Sequence, residues 1–272
     1  MYVRESNKRF LQEDKIMEII KNIKEIEKFV DDFSFLLFGR DYILCGKKVF
    51  SLQILFRSIQ LTMGSIINCC EHYCVADANV LTRKYRDDIF FCLYLIVYDA
   101  NYKKGNKEVY VDIENNISKW LNNSLQNLYI GDVFKAIGKQ PDLLQVIKKY
   151  DLQSSFKVLN TKLNDFVHSN GIAFYNENII NSDRKVIEEK LRGIENNIRY
   201  ITVSFLFLLV LCSPGYIMST DYVECLDMGT PPPDYSELWM ATFVKSFLKD
   251  NLKIIDDNCY NYIRENSSML FD

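Results

Sequence analysis

The chain has 272 residues, 48% hydrophobic and 25% charged, with 33 lysines and arginines against 36 aspartates and glutamates for a net charge of −3. This is globular composition with enough apolar residues to bury a core, and the slightly acidic balance argues against nonspecific nucleic-acid binding through a basic surface. The acidity is concentrated from Ser219 onward, where ten acidic residues stand against four basic ones, leaving the rest of the chain mildly positive.

Helical periodicity dominates from the start. Ile16, Ile19, Ile20, Ile23, Ile26 and Val30 recur at three- and four-residue steps with Lys and Glu between them, predicting an amphipathic first helix over about 11–37. "FGRDYILCGKK" reads as a turn or short irregular link. From Val49 to about Tyr98 the chain reads as helix with a break near "EHYCVADAN". A polar loop, "NYKKGNKE", leads to a weaker helix over about 108–127, and short helices flank Pro141. Asp151 is placed to cap a helix whose apolar face is Leu152, Phe156, Leu159, Leu163, Phe166 and Val167, with Gly171 as its stop.

A long helix is expected from near Ser182 through Val186, Leu191, Ile194 and Ile198 into "YITVSFLFLLVLCSPGYIM". That apolar run is only about 12 residues long, where a membrane span needs roughly 20, so a buried core helix is the preferred reading and no membrane partner is expected. "GTPPPDYSE" punctuates the chain: three prolines forbid helix, and Asp234 and Glu237 then sit at capping-box spacing before a last helix through Trp239, Phe243, Phe247 and Ile254. Short β-like pieces, "VYVDI" and "GIAFYN", are too few for a sheet. The expected fold is all-α: one antiparallel helical-bundle domain over 1–272, with an N-terminal helix and link (1–48), a helical core (49–213), and an irregular Pro-rich connection with a C-terminal helix (214–272).

The eight cysteines lie mostly in apolar helical sequence, where cysteine behaves as a small hydrophobe. Together with an N-terminus lacking an apolar signal region, they suit a reducing cytoplasm. "CCEHYC" (69–74) invites a metal reading, but on a helix Cys70 and Cys74 share one face and Cys69 and His72 another, about 100° away. Structural zinc sites use paired knuckles, and no second Cys/His pair lies nearby. No metal and no cofactor is therefore expected.

Two other stretches hold candidate site residues. In "NVLTRKYRDDIFF", Arg83, Arg86 and Asp87 stand ahead of a run apolar on nearly every face, with Arg83 and Asp87 as i,i+4 partners. Charges entering such a core must be paired, so they either fix helix register or line a pocket. On the later helix Lys157, Asn160, Asn164 and His168 form one stripe. His168 lies in the last turn, where the helix dipole favours its protonated form. The structural reading of this stripe is a solvated face with a C-cap histidine.

Antiparallel helices with an Arg-Asp cluster on one and a polar stretch ending in His on another resemble the HEPN superfamily of all-α domains, over residues 49–213. Its ribonuclease members, many of them toxins or antiviral abortive-infection proteins, carry an Arg-x(4–6)-His motif near a helix end. "KLNDFVH" supplies Lys162, five intervening residues and His168, with Asn164 at the polar position between. Lys stands where the family has Arg, and it projects roughly 120° from His168. Lys also lacks the bidentate fork, which Arg83 or Arg86 could supply from the neighbouring helix.

The resemblance implies a cytoplasmic protein of bacterial defence or toxin type, with metal-independent RNA cleavage at a site formed across a homodimer. His168 would serve as general base or acid, and Lys or Arg would stabilise the charged transition state. Another class of function stands beside it: a noncatalytic HEPN-like interaction or regulatory subunit, antitoxin-like or scaffold, binding a protein partner through the acidic C-terminal segment. A membrane-associated accessory protein is a third reading, resting only on residues 200–218.

Overall fold

The computed structural model describes residues 14–125, 128, 130–167, 171, 175, 184–231 and 240–267. The first helix, α1 (Asp14–Leu36), buries the isoleucine stripe read from its periodicity, with Ile16, Ile19 and Ile23 fully inaccessible to solvent. The expected link that follows is instead a β-hairpin: β1 (Tyr42–Cys45) pairs antiparallel with β2 (Lys48–Ser51), Leu44 opposite Val49. Its two-residue turn places Gly46 first with φ 59°, the left-handed geometry that glycine supplies without steric cost in a II′-type hairpin.

α2 (Leu52–Glu71) starts at Ser51, whose side chain accepts a hydrogen bond from Ile54 N–H. The break expected near "EHYC" is sharp. Tyr73 takes a left-handed φ of 57°, Cys74 N–H returns to the Cys69 carbonyl at 2.8 Å, and α3 (Val75–Lys103) begins at once. Then come α4 (Lys107–Leu121), α5 (Ile130–Ile137), α6 (Pro141–Lys149), with proline in its first turn, and α7 (Leu152–Val167). Asp151 stands at the entrance of α7 as expected, though in left-handed backbone with φ 46°. "VYVDI" lies inside α4.

α8 (Arg184–Cys212) carries the apolar run, and every residue from Ile201 to Val210 is buried. It is long and apolar enough to cross a membrane, yet 72% of its apolar window is covered by the rest of the chain. The segment expected to be irregular after it contains a 3-10 turn (Pro214–Ile217) and α9 (Thr220–Met228), capped by Gly229 at φ 65°. The expected last helix stops earlier. α10 (Thr242–Asn251) passes into a 3-10 turn (Leu252–Ile254), and a further helix, α11 (Cys259–Asn266), follows. Asp234, Glu237 and Trp239 fall outside the described residues.

The core is a ring of four helices, α1 against α2, α2 against α3, α3 against α8, and α8 back against α1. Phe33 of α1, Phe56 of α2 and Phe205 of α8 meet at its centre, with ring centroids 5.0 to 6.1 Å apart. α1, α2 and α3 run up, down and up, α1 joined to α2 through the hairpin and α2 to α3 by a tight turn. α8 arrives after the long excursion through α4–α7 and runs parallel to α1 and α3: Asn22 meets Glu195, Arg40 meets Met218, Tyr85 meets Thr202 and Asp99 meets Tyr216. A bundle with a long crossover permits this direction, which hairpin connections do not.

Candidate functional site

The mixed charges ahead of the apolar half of α3 divide between two neighbours. Lys84 pairs with Asp88 and reaches Thr62 of α2 at 3.3 Å. Arg83, Arg86 and Asp87 form a second group. Arg86, only 2% exposed, donates Nη1–H to Asn160 Oδ1 of α7 at 2.8 Å, and its Nε–H and Nη2–H to Asp87 Oδ1 at 2.9 and 2.6 Å. Arg83 Nε lies 3.7 Å from the other oxygen of Asp87. One carboxylate thus sits between two guanidinium groups, and this corner of the seam carries a net positive charge. Asp87 keeps 40% of its side chain in solvent, which limits the cost of holding the pair.

The two helices carrying these groups are antiparallel neighbours. Phe90 packs edge-on against Phe156 at 4.8 Å one turn beyond the Arg86–Asn160 hydrogen bond. Hence the stripe Lys157, Asn160, Asn164 is not a uniformly solvated face. Lys157 is exposed, Asn160 is half-buried and bonded to Arg86, and Asn164 Oδ1 is buried with no hydrogen-bond partner among the described residues. Arg83 Nε has none there either, its contact with Asp87 being an ion pair at longer range. A buried acceptor and a buried donor are therefore both left open in the polar part of the molecule. Each such group costs about 1–3 kcal/mol when unmatched.

Arg86 and Asn160 open onto a cavity of about 520 Å³. Ile130, Phe134, Ile147 and Phe156 form its apolar wall, and Lys148, Lys157, Gln153, Ser154 and Asp151 stand around it. Three cations against one carboxylate, with aromatic and aliphatic surface behind them, can hold an anion that carries a flat apolar body. Lys157 was visible in the sequence from its place on the stripe. Phe156 was visible too, in the apolar face of α7, whereas nothing local marks Lys148, Gln153, Ser154 and the rest of the wall as one group, because three separate helices bring them together.

Lys162 faces a different groove of about 300 Å³, lined also by Val75, Asn79, Asp165, Phe166 and Asn197. It does not line the Arg86 cavity. His168, the expected acid-base residue, lies outside the described residues.

The other sequence candidate is dispersed. Cys70 is buried and its thiol is pushed up to about 12, chiefly by desolvation. Cys74 is exposed, and His72 Nδ1 lies 2.8 Å from the Asn68 carbonyl. Among the described residues no group of three or more His, Cys, Asp or Glu side chains is arranged to hold a metal ion. Comparison with models of protein families, with curated proteins and with solved structures finds no match to this chain.

Proposed function

We propose that the protein is a HEPN-like RNA-binding domain of bacterial defence or toxin type, with the α3–α7 cavity holding a phosphate of the RNA and His168 carrying out metal-independent cleavage. The observation that carries this reading is the buried Arg86 guanidinium opening, beside Lys157 and Lys148, onto a cavity with an aromatic wall. Arg86 supplies the planar fork that Lys162 lacks in the HEPN-like motif. Three of its five N–H groups are engaged by Asp87 and Asn160, which orients the guanidinium and leaves two N–H groups for a ligand oxygen. The aromatic wall offers a stacking surface for an unpaired base. In the reaction His168 would take the ribose 2′-hydroxyl proton or deliver one to the leaving oxygen, while the cations stabilise the developing phosphorane charge.

The test uses the purified full chain with single-stranded RNA. His168→Ala should abolish cleavage while retaining binding and thermal stability. Lys157→Glu should weaken binding and lower the slope of log affinity against log salt by about 1. Failure of the wild type to bind RNA, or cleavage that survives His168→Ala, refutes the proposal.

A second reading, a noncatalytic HEPN-like regulatory subunit, is favoured by one feature of the same group: Asp87 and Asn160 already satisfy most of Arg86, as a structural network tying α3 to α7 would require. It predicts copurification with a stoichiometric protein partner and no ribonuclease activity after the partner is removed. The acidic C-terminal segment is the partner-binding region in that case.

A further inference from the structure

One surface stands apart from the Arg86 cavity and shares no residue with it. Among the described residues, large hydrophobic side chains exposed to solvent gather between positions 35 and 61: Phe35, Phe38, Tyr42, Leu44, Ile54 and Leu61 are each 60–73% exposed. Five of them are linked through near neighbours. Phe35 lies under the Arg57 guanidinium at 5.7 Å, and Ile54 and Leu61 stand one turn to either side of Arg57. Ile54 N–H is bonded to Ser51, whose register partner is Tyr42, and Leu44 follows on the same face of β1. Monomers seldom expose contiguous apolar patches beyond a few hundred Å².

The outer face of α2 is also unlike a solvated helix face, which normally carries several charges. Its exposed positions from Ile54 to Asn68 hold a single charged residue, Arg57, and that is paired with Asp31 at 2.6 Å. The remaining positions are Ile54 and Leu61, the small Ser58, Gly64 and Ser65, and the uncharged Asn68. A Cβ built on Gly64 meets nothing within 4 Å, so the gap beside Leu61 is open.

We propose that this face, formed by α2 with the end of α1 and the hairpin, is the contact surface for a second copy of the same chain, packed about a two-fold axis. Two features select that occupant. The exposed side chains offer on the order of 800 Å² of surface, and a standard interface buries about 800 Å² on each partner. The α2 part of the face is also complementary to itself: large residues and gaps alternate along the helix, and the one charge among its exposed positions, Arg57, is neutralised by Asp31 within the chain, so α2 packed on its copy meets no like-charge repulsion.

Sedimentation equilibrium of the full chain tests this. The wild type should be dimeric at roughly 100 µM, above the micromolar limit expected for an interface of this size. Leu61→Glu and Ile54→Glu should each raise the dissociation constant about 100-fold or more with unchanged circular dichroism, because both side chains already face solvent in the monomer. Val158→Glu, an exposed substitution on α7, should leave the dimer intact. A wild type that stays monomeric, a dimer indifferent to both α2 substitutions, or a monomer that instead sediments with phosphatidylserine vesicles through this face would overturn the proposal.

Discussion

α3 meets α8 and α7 through seams of different chemistry. Against α8 it presents the buried Tyr85, and the polar pair there is complete: Tyr85 donates to Thr202 Oγ1 at 2.6 Å, and Thr202 donates to the Ile198 carbonyl at 2.8 Å. Against α7 the first half of α3 brings Arg86 beside Asn160, and the polar region they belong to leaves Asn164 Oδ1 and Arg83 Nε without hydrogen bonds among the described residues. A domain stable by only about 5–15 kcal/mol keeps such open groups at a real cost. The contrast separates a seam that supplies stability from one where stability is given up, and the cavity lies on the second.

The largest expected effect falls on the apolar side. Phe205→Ala empties the place where Phe33 and Phe56 converge and should cost about 3–5 kcal/mol in denaturant unfolding. A loss below about 1 kcal/mol would show that the ring of helices is not held by these aromatics.

Alkaline unfolding probes the same side. Burial pushes the thiols of Cys70, Cys212 and Cys259 up to about 12 from an ordinary value of 9.0. The folded state therefore retains protons that the unfolded state releases. Stability should be full below pH 9 and fall as pH rises from there toward 12, read as a declining melting temperature under reducing conditions. Substituting Cys212 with Ala should reduce that slope, and an unchanged slope would assign it to the buried tyrosines instead.

On the polar side the effects are smaller. Arg86→Gln removes the cation beside Asp87, and because Asp87 is 40% exposed the cost should be about 1–3 kcal/mol, below that of breaking a fully buried pair. A neutral or stabilising result would mean that the pair is maintained for the ligand alone. Lys157→Glu, at the exposed rim, should change stability by less than about 0.5 kcal/mol while acting on RNA binding. If it destabilises as strongly as Arg86→Gln, the proposed division between the seams fails.

Much of this was legible in the chain itself. The α1 stripe, the break between α2 and α3, the helices flanking Pro141 and the apolar face of α7 follow from periodicity and turn residues. So does the alignment of Lys157, Asn160 and Asn164, because residues three and four apart share a helix face whatever packs on it. The hairpin escaped detection because each strand has only four residues, too short for alternation to stand out, although the Cys45-Gly46-Lys47-Lys48 sequence held a usable turn signal. α9 and α11 are no shorter than the helices flanking Pro141, but α9 buries only Tyr222 and α11 only Cys259 and Ile263, too few apolar positions for a period to show.

By itself the sequence determined an all-α chain, the helices that would be apolar all round, and the polar residues that share a face. The tertiary structure alone decided that the polar stripe of α7 lies against Arg86, that α8 closes the bundle parallel to α1 and α3, and that Lys148 and Phe134 reach the same cavity. The physical reason is that periodicity is local and covalently determined, whereas hydrophobic burial has no direction. An apolar face specifies that it will be covered, and the choice of covering helix is made by the packing of the whole chain.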